Sequence, residues 1–300
     1  MTEPSGVILI NKPAGVTSHD CVNKIRRLFN TKKVGHTGTL DPMATGVLPI
    51  LVGRAVKASD LLVCDDKKYR AGLRLGITTD TEDTTGTVLT ESGDIPDSDE
   101  VRAVCAGFVG EITQVPPMYS ALKVDGQKLV DLARRGVTVE REARPIVIHS
   151  LRVEEGEAER DYVLTVHCSK GTYIRTLCAD IGAKLGCGGA MSSLERLASG
   201  GFSLDECYTL DSLEAMEYEE RCGLLRPVES LFSTLSAVKL QPFFEKLSRS
   251  GNEIYQKKIK TDFTAGTRVR LYGADGFYAL GEVRDYPDGS AIKVIKLFLI

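Results

Sequence analysis

The sequence predicts an α+β fold built on a mostly antiparallel mixed sheet flanked by helices. Three observations predict it. Residues 67–77 alternate cleanly between apolar and polar, as a strand with one buried face does. Stretches such as 18–29 and 98–108 carry apolar residues at helical spacing. Hairpin turns outnumber repeated strand–helix–strand units, which argues against an all-parallel sheet. The 300 residues suffice for one large domain plus a small one. A chain 42% hydrophobic and 26% charged has the composition of a soluble globular protein.

In chain order, 7–10 is a short apolar strand and 11–15 a turn. Ser18 caps a helix with Val22, Ile25, Leu28 and Phe29 on one face. In 35–49, three glycines and two prolines exclude a helix. A lone carboxylate, Asp41, sits there between Leu40 and Pro42, ahead of a buried strand over 47–52. A rigid loop thus presents one acid at the edge of an apolar core, where chains tend to place chemistry. The plainer alternative is a tight turn in which Asp41 bonds its own backbone.

Tyr69, Ala71, Leu73, Leu75 and Ile77 form the inward face of the next strand. The polar loop 78–86 lacks the spacing of a calcium loop. Ser98 opens a helix with Val101, Val104, Cys105 and Phe108 inward. Pro116 and Pro117 break regular structure, Asp125-Gly126 signals a hairpin, and a short helix over 129–135 ends at Gly136. The basic, weakly hydrophobic segment of about 124–144 reads as a mobile insertion over the site. Strands over 146–153 and 162–168 pair, and a helix begins in 171–176 with Ile174, Leu177, Ile181 and Leu185 inward. Thr209 or Asp211 caps another helix. From Leu235 the character changes to one short helix, 242–247, and then strand and turn over 268–300.

The net charge of −3 speaks against a nucleic-acid binder. The basic residues nevertheless cluster: Lys24, Arg26, Arg27, Lys32 and Lys33; Arg134, Arg135, Arg141 and Arg144; Lys257, Lys258 and Lys260. A local basic face can engage phosphates, although for any single cluster a solvated face is the plainer reading. The eight cysteines, Cys64 among them, form no Cys-x-x-Cys pair, which argues against zinc and a redox dithiol and for reduced core residues. No run approaches a membrane span, and the N-terminal residues do not read as a secretory signal. A cytoplasmic location is expected.

The run Gly35-His36-Thr37-Gly38-Thr39-Leu40-Asp41-Pro42-Met43-Ala44-Thr45-Gly46-Val47-Leu48-Pro49 resembles the catalytic loop of the TruB family of tRNA pseudouridine-55 synthases. Family-like blocks follow in order through about residue 233. The resemblance implies the pseudouridine synthase fold with a small β-rich PUA-like C-terminal domain. It divides the chain into a catalytic domain, 1–233, with 124–144 as an RNA-clamping insertion, and a C-terminal domain, 234–300. It implies isomerisation of uridine 55 in the T-loop of tRNA, with no cofactor and no metal; a monomer is expected, since one copy can reach a tRNA-sized surface.

By the same resemblance Asp41 is the attacking carboxylate, and Arg175, in Tyr173-Ile174-Arg175, is the cation that favours its ionised form. Read alone, Arg175 is a surface ion pair on a helix. Tyr69 reads as a core tyrosine; the resemblance stacks it on the target uracil and offers it as acceptor of the C5 proton. Tyr173 and Leu197 would line the base pocket. His36 would meet RNA where the flipped base leaves its stack, and Arg134, Arg135 and Arg141 would clamp the T-arm. Lys12 is grouped with these RNA-side residues and, with Tyr119, supports the loop. Two positions depart from the family pattern: Ala190 stands in place of a histidine and Glu195 in place of an arginine, which puts a phosphate contact there in doubt. The rival readings are a non-catalytic tRNA-binding chaperone, a guide-RNA-dependent rRNA pseudouridine synthase, and a glycosidase, which would want a second acid.

Overall fold

The computed structural model describes residues 3–61, 66–124 and 126–298. In order come β1 (Gly6–Lys12), α1 (Ser18–Leu28), β2 (Val34–His36), β3 (Thr45–Val52), β4 (Lys67–Leu75), β5 (Ile77–Thr79), β6 (Val88–Glu91) and α2 (Ser98–Ala106). Next are β7 (Gly110–Gln114), β8 (Lys123–Val124), β9 (Gln127–Lys128), α3 (Leu129–Ala133), β10 (Arg144–Glu155), β11 (Asp161–Cys168), α4 (Ile174–Lys184), β12 (Gly189–Ser199) and β13 (Phe202–Ser203). The chain continues through α5 (Leu210–Ala215), α6 (Tyr218–Gly223), β14 (Ser236–Lys239), α7 (Pro242–Arg249), β15 (Ile254–Tyr255), α8 (Gln256–Ile259), β16 (Arg268–Gly273), β17 (Gly276–Tyr286) and β18 (Gly289–Leu297).

The large sheet runs β1-β3-β12-β4-β11-β10-β7, with β2 on β3 and β13 on β12. Every pairing in it is antiparallel except β3 with β12, so the expected α+β class holds. A second sheet, β14-β16-β17-β18-β15, accounts for the strand-rich 268–298. The alternation in β4 decides its placement. Tyr69, Ala71, Leu73 and Leu75 are buried under α2 and α4, while Lys68, Arg70 and Arg74 face solvent. Strand β3 is buried on both faces, packing α1 on one side and Phe202 on the other. Among the described residues no helix is long and apolar enough to cross a membrane.

Several local expectations shift. The cap of α1 is Thr17, one residue before Ser18. Its hydroxyl accepts from the Asp20 amide, and the Asp20 carboxylate accepts from the Thr17 amide. Strand β4 stops at Leu75 because Gly76 turns the chain at φ +82°, and Ile77 begins β5. The predicted hairpin is present as β8 paired with β9, although Asp125 itself lies outside the described residues. So does Cys64; the other cysteines are free thiols, most of them buried. Strand β12, which no periodicity announced, holds a central place in the sheet.

Candidate active site

The loop between β2 and β3 is pinned from three separate elements. Lys12, at the end of β1, is fully buried, and its ammonium donates to Pro13 O (2.8 Å), Pro42 O (3.2 Å) and Ala44 O (2.7 Å). The Ser18 hydroxyl, freed from capping, accepts from Leu40 N (2.8 Å) and donates to Leu40 O (3.1 Å). Arg196 on β12 is also fully buried; Nε donates to Val47 O (2.6 Å) and Nη2 to Gly38 O (3.2 Å). Gly46 permits the close approach of β3 to β12. Its φ is +104°, and a Cβ there would stand 2.2 Å from Arg196 O.

With its backbone held, Asp41 turns its carboxylate away from its own chain and onto Arg175. The contacts are Nε to Oδ2 at 2.9 Å and Nη2 to Oδ1 at 3.4 Å. The self-bonded turn is therefore not what forms. Nor is Arg175 a surface ion pair, since it is 6% exposed in the first turn of α4. Nη2 donates to Tyr119 O (2.7 Å), Nη1 donates to Thr81 O (3.1 Å), and the Asp83 carboxylate lies 3.8 Å from Nη1. Asp83 is itself held by Thr81 Oγ1 (2.9 Å) and the Thr85 amide (3.0 Å). The polar loop after β5 thus backs the guanidinium. Gln114 fixes the start of α4 by bonding both Tyr173 N (2.8 Å) and Tyr173 O (3.1 Å).

The electrostatics follow from burial. Burial pushes the Asp41 carboxyl above its ordinary range; Arg175 pulls it back and Asp83 adds to the rise. The side chain is still 33% exposed, so a ligand can reach it. Burial lowers the Lys12 ammonium and raises the Tyr69 phenol, which Arg196 partly offsets. Burial likewise raises the Tyr173 phenol, with Ser120 opposing. His36 is pushed below its ordinary value by burial and by Arg196, which leaves a neutral imidazole at neutral pH. Its Nδ1 is buried without a partner.

Tyr69 packs in the same core cluster as Leu40 and Ala44, beside the loop. Tyr173 stands two residues before Arg175 at the start of α4, where Gln114 holds its backbone. Leu197 is half-buried on β12 next to Arg196. The clamp residues divide. Arg134 and Arg135 are exposed at the end of α3, with Arg135 bonding Gln127 Oε1 (2.6 Å), while Arg141 is half-buried and donates to Pro116 O (3.0 Å). On the first basic cluster, Lys24 pairs with Glu214, and Lys33 with Glu3 at 2.9 Å. Glu195 faces Arg70 across β4 at 3.4 Å, and Ala190 is buried.

Arg196, Asp83, Ser18 and Gln114 went unrecognised as site residues in the sequence. Arg196 sits at an inward position of a strand whose neighbours are Ser, Glu and Leu, and a buried arginine breaks the apolar pattern that marks a strand. Chemically, the arrangement is an accessible carboxylate paired with a fixed cation, with Tyr69 packed beside the loop that carries it. It suits attack by Asp41 on an electrophilic carbon of a planar, ring-bearing substrate. Asp83 is buried behind Arg175, where it cannot partner Asp41 across a glycosidic bond.

Comparison with known proteins gives the family. Residues 26–174 match the TruB family pseudouridylate synthase N-terminal domain, and 175–233 match the tRNA pseudouridylate synthase B C-terminal domain. The chain is 46% identical over 279 residues to the tRNA pseudouridine synthase B of Aromatoleum aromaticum, covering 92% of this chain and 88% of that one. It is 44% identical over 296 residues to the protein of the same name from Alkaliphilus oremlandii, covering 98% of each. Among solved structures, a chain of a Cbf5-Nop10-Gar1 complex superposes with a TM-score of 0.75 at 30% identity, over 98% of this chain and 85% of that one. A chain of an H/ACA RNP bound to a substrate RNA containing 2′-deoxyuridine superposes at 0.73 with 28% identity. The chain belongs to the TruB family of pseudouridylate synthases.

Proposed function

We propose that the protein isomerises uridine to pseudouridine at position 55 in the T-loop of tRNA, and that Asp41 is its nucleophile. The observation that carries the reading is the Asp41–Arg175 pair, at 2.9 Å, on a loop whose backbone is locked by Lys12, Ser18 and Arg196. The reaction breaks the bond from uracil N1 to ribose C1′ and forms one from C5 to C1′. The C5 proton leaves and N1 gains a proton, so atoms balance and no electrons are exchanged. Asp41 attacks as a carboxylate, either at C1′ or on the ring. Arg175 favours the charged form and fixes its aim. Tyr69 supplies a stacking face; burial raises its phenol, which keeps it protonated and favours stacking over a role as base. Tyr173 and Leu197 complete the walls around the uracil.

The target base leaves its stack to reach Asp41, as bases do for enzymes that act on them. His36 meets the RNA beside the vacated position. Arg134, Arg135 and Arg141, in the 124–144 segment, hold the T-arm by its phosphates. We assign 1–233 to catalysis and 234–300 to a C-terminal domain. The enzyme works in the cytoplasm as a monomer. The guide-RNA-dependent reading is the weaker one. The solved neighbours from such assemblies stand at 27–30% identity, against 44–46% for relatives named for tRNA.

The test is tritium release from T-arm RNA labelled at uracil C5, with wild type and Asp41→Asn side by side. Release by wild type alone, with equal RNA binding by both proteins, is the expected outcome. If neither releases tritium yet both bind the hairpin, the protein is a tRNA-binding module and the catalytic reading falls.

A further inference from the structure

Away from the catalytic loop, three ligand-bearing side chains converge on the solvent face of the large sheet. Asp66 precedes β4, His149 lies on β10, and His167 lies on β11. Asp66 Oδ2 is 3.3 Å from His149 Nε2 and 3.9 Å from His167 Nε2, and one donor atom from each residue lies within 4.8 Å of the others. The two imidazole centroids are 4.7 Å apart. A β-bulge produces this meeting. The register of β10 on β11 passes from Ile148↔Cys168 to Ser150↔His167, so His149 is the extra residue. His149 and Ser150 together face His167, and the bulge re-aims the first imidazole toward the second. In this register Val166 is inward beside Tyr69, so His167 projects from the opposite face.

We propose that Asp66, His149 and His167 form a binding site for a divalent transition-metal ion, with Zn²⁺ the best match to the donors. Two imidazole nitrogens and one carboxylate oxygen, with a fourth position open to water, are a recurrent zinc donor set. With bonds of about 2.0–2.1 Å, tetrahedral ligand atoms stand about 3.4 Å apart, and the two carboxylate–imidazole separations bracket that value. Small rotations of exposed side chains close the remainder. Lys68, the register partner of His167, is exposed, and a long flexible stem lets such an ammonium move out to solvent. The ion would staple β4, β10 and β11 together, and β4 is the strand that carries Tyr69. No sequence spacing announces the site, because the two histidines come from different strands and Asp66 from the segment before a third.

The experiment titrates chelator-treated full-length protein with ZnCl₂ by calorimetry, and with Co²⁺ by visible absorption. Saturable binding of about one equivalent is expected, with affinity reduced at least about tenfold in His149→Ala and in His167→Ala. Zn²⁺ should also raise the thermal midpoint of wild type and leave that of the double variant unmoved. Both variants should release tritium from T-arm RNA as wild type does, which controls for folding. Absence of saturable binding overturns the proposal: Asp66 and His149 then make only a surface contact. Binding unaffected by the histidine variants overturns it too, as does a thiolate-to-cobalt charge-transfer band, which would place the ion on cysteines.

Discussion

Replacing Arg175 by methionine removes the cation that contacts Asp41 and leaves the carboxylate in a site that burial already disfavours. Breaking a buried ion pair by deleting one partner costs about 3–5 kcal/mol. Asp41 is 33% exposed, so water recovers part of that. We take about 2–3 kcal/mol as the net loss, which is roughly 30- to 150-fold in kcat. The loss should fall on kcat. Arg175 is 6% exposed and spends its other donors on Thr81 O and Tyr119 O, so the substitution should leave RNA binding largely intact. KM for T-arm RNA should stay within about threefold of wild type. The pH profile supplies an independent reading. On the proposed mechanism Asp41 attacks as a carboxylate, so activity should fall as pH falls through the Asp41 pKa. That pKa is raised by burial and held back by Arg175, so removing the guanidinium moves the acid limb of kcat/KM to higher pH. Arg175→Lys keeps a charge but not the forked contacts, and it should return the acid limb toward wild type while restoring the rate only in part. Single-turnover tritium release across pH makes the measurement. A kcat within about threefold of wild type, a loss confined to KM, or an unmoved acid limb would each refute the reasoning.

Gly46→Ala forces a Cβ to within 2.2 Å of Arg196 O at a φ of +104°, so β3 and β12 must part. Urea unfolding should show a loss of more than about 2 kcal/mol, and wild-type stability would deny the close approach. Tyr69→Phe keeps the stacking face and should hold tritium release within about threefold of wild type, while Tyr69→Leu should lose about 10- to 100-fold. Equal losses in the two variants would move the role from the ring to the hydroxyl. Arg134→Ala combined with Arg135→Ala should weaken T-arm binding and flatten its dependence on log salt by about 1–2. An unchanged slope removes both residues from the interface.

What could be read from the sequence was what local chemistry dictates. Glycine and proline in 35–49 forbid a helix whatever surrounds them, and the alternation in β4 leaves one arrangement that buries Tyr69, Ala71, Leu73 and Leu75. Where two local solutions compete, residue type alone does not choose between them. Thr17 and Ser18 are both good caps, and the choice turns on the residue three further along. For Thr17 that is Asp20, whose carboxylate closes the reciprocal bond; for Ser18 it is Cys21, which cannot. Where tertiary contact decides, local chemistry is silent. Strand β12 buries an arginine where a strand pattern wants an apolar residue. The partners of Arg175 at 81 and 119 are backbone carbonyls, which carry no side-chain signature at all.

Backbone carbonyls also decide how the site works. The donors around the loop go almost entirely to its carbonyls: Gly38 from Arg196, Leu40 from Ser18, Pro42 and Ala44 from Lys12, Val47 from Arg196 again. Two of these donors are charged side chains sealed from water, and a buried charge without partners is costly. Their satisfaction therefore depends on the loop keeping this one conformation. If the loop moves, Lys12 and Arg196 each lose acceptors that water cannot replace. The rigidity of the loop thus rests on the expense of stranding two cations, rather than on the short turn itself. What remains free in that frame is the Asp41 carboxylate, aimed by Arg175 and open on one side to the substrate.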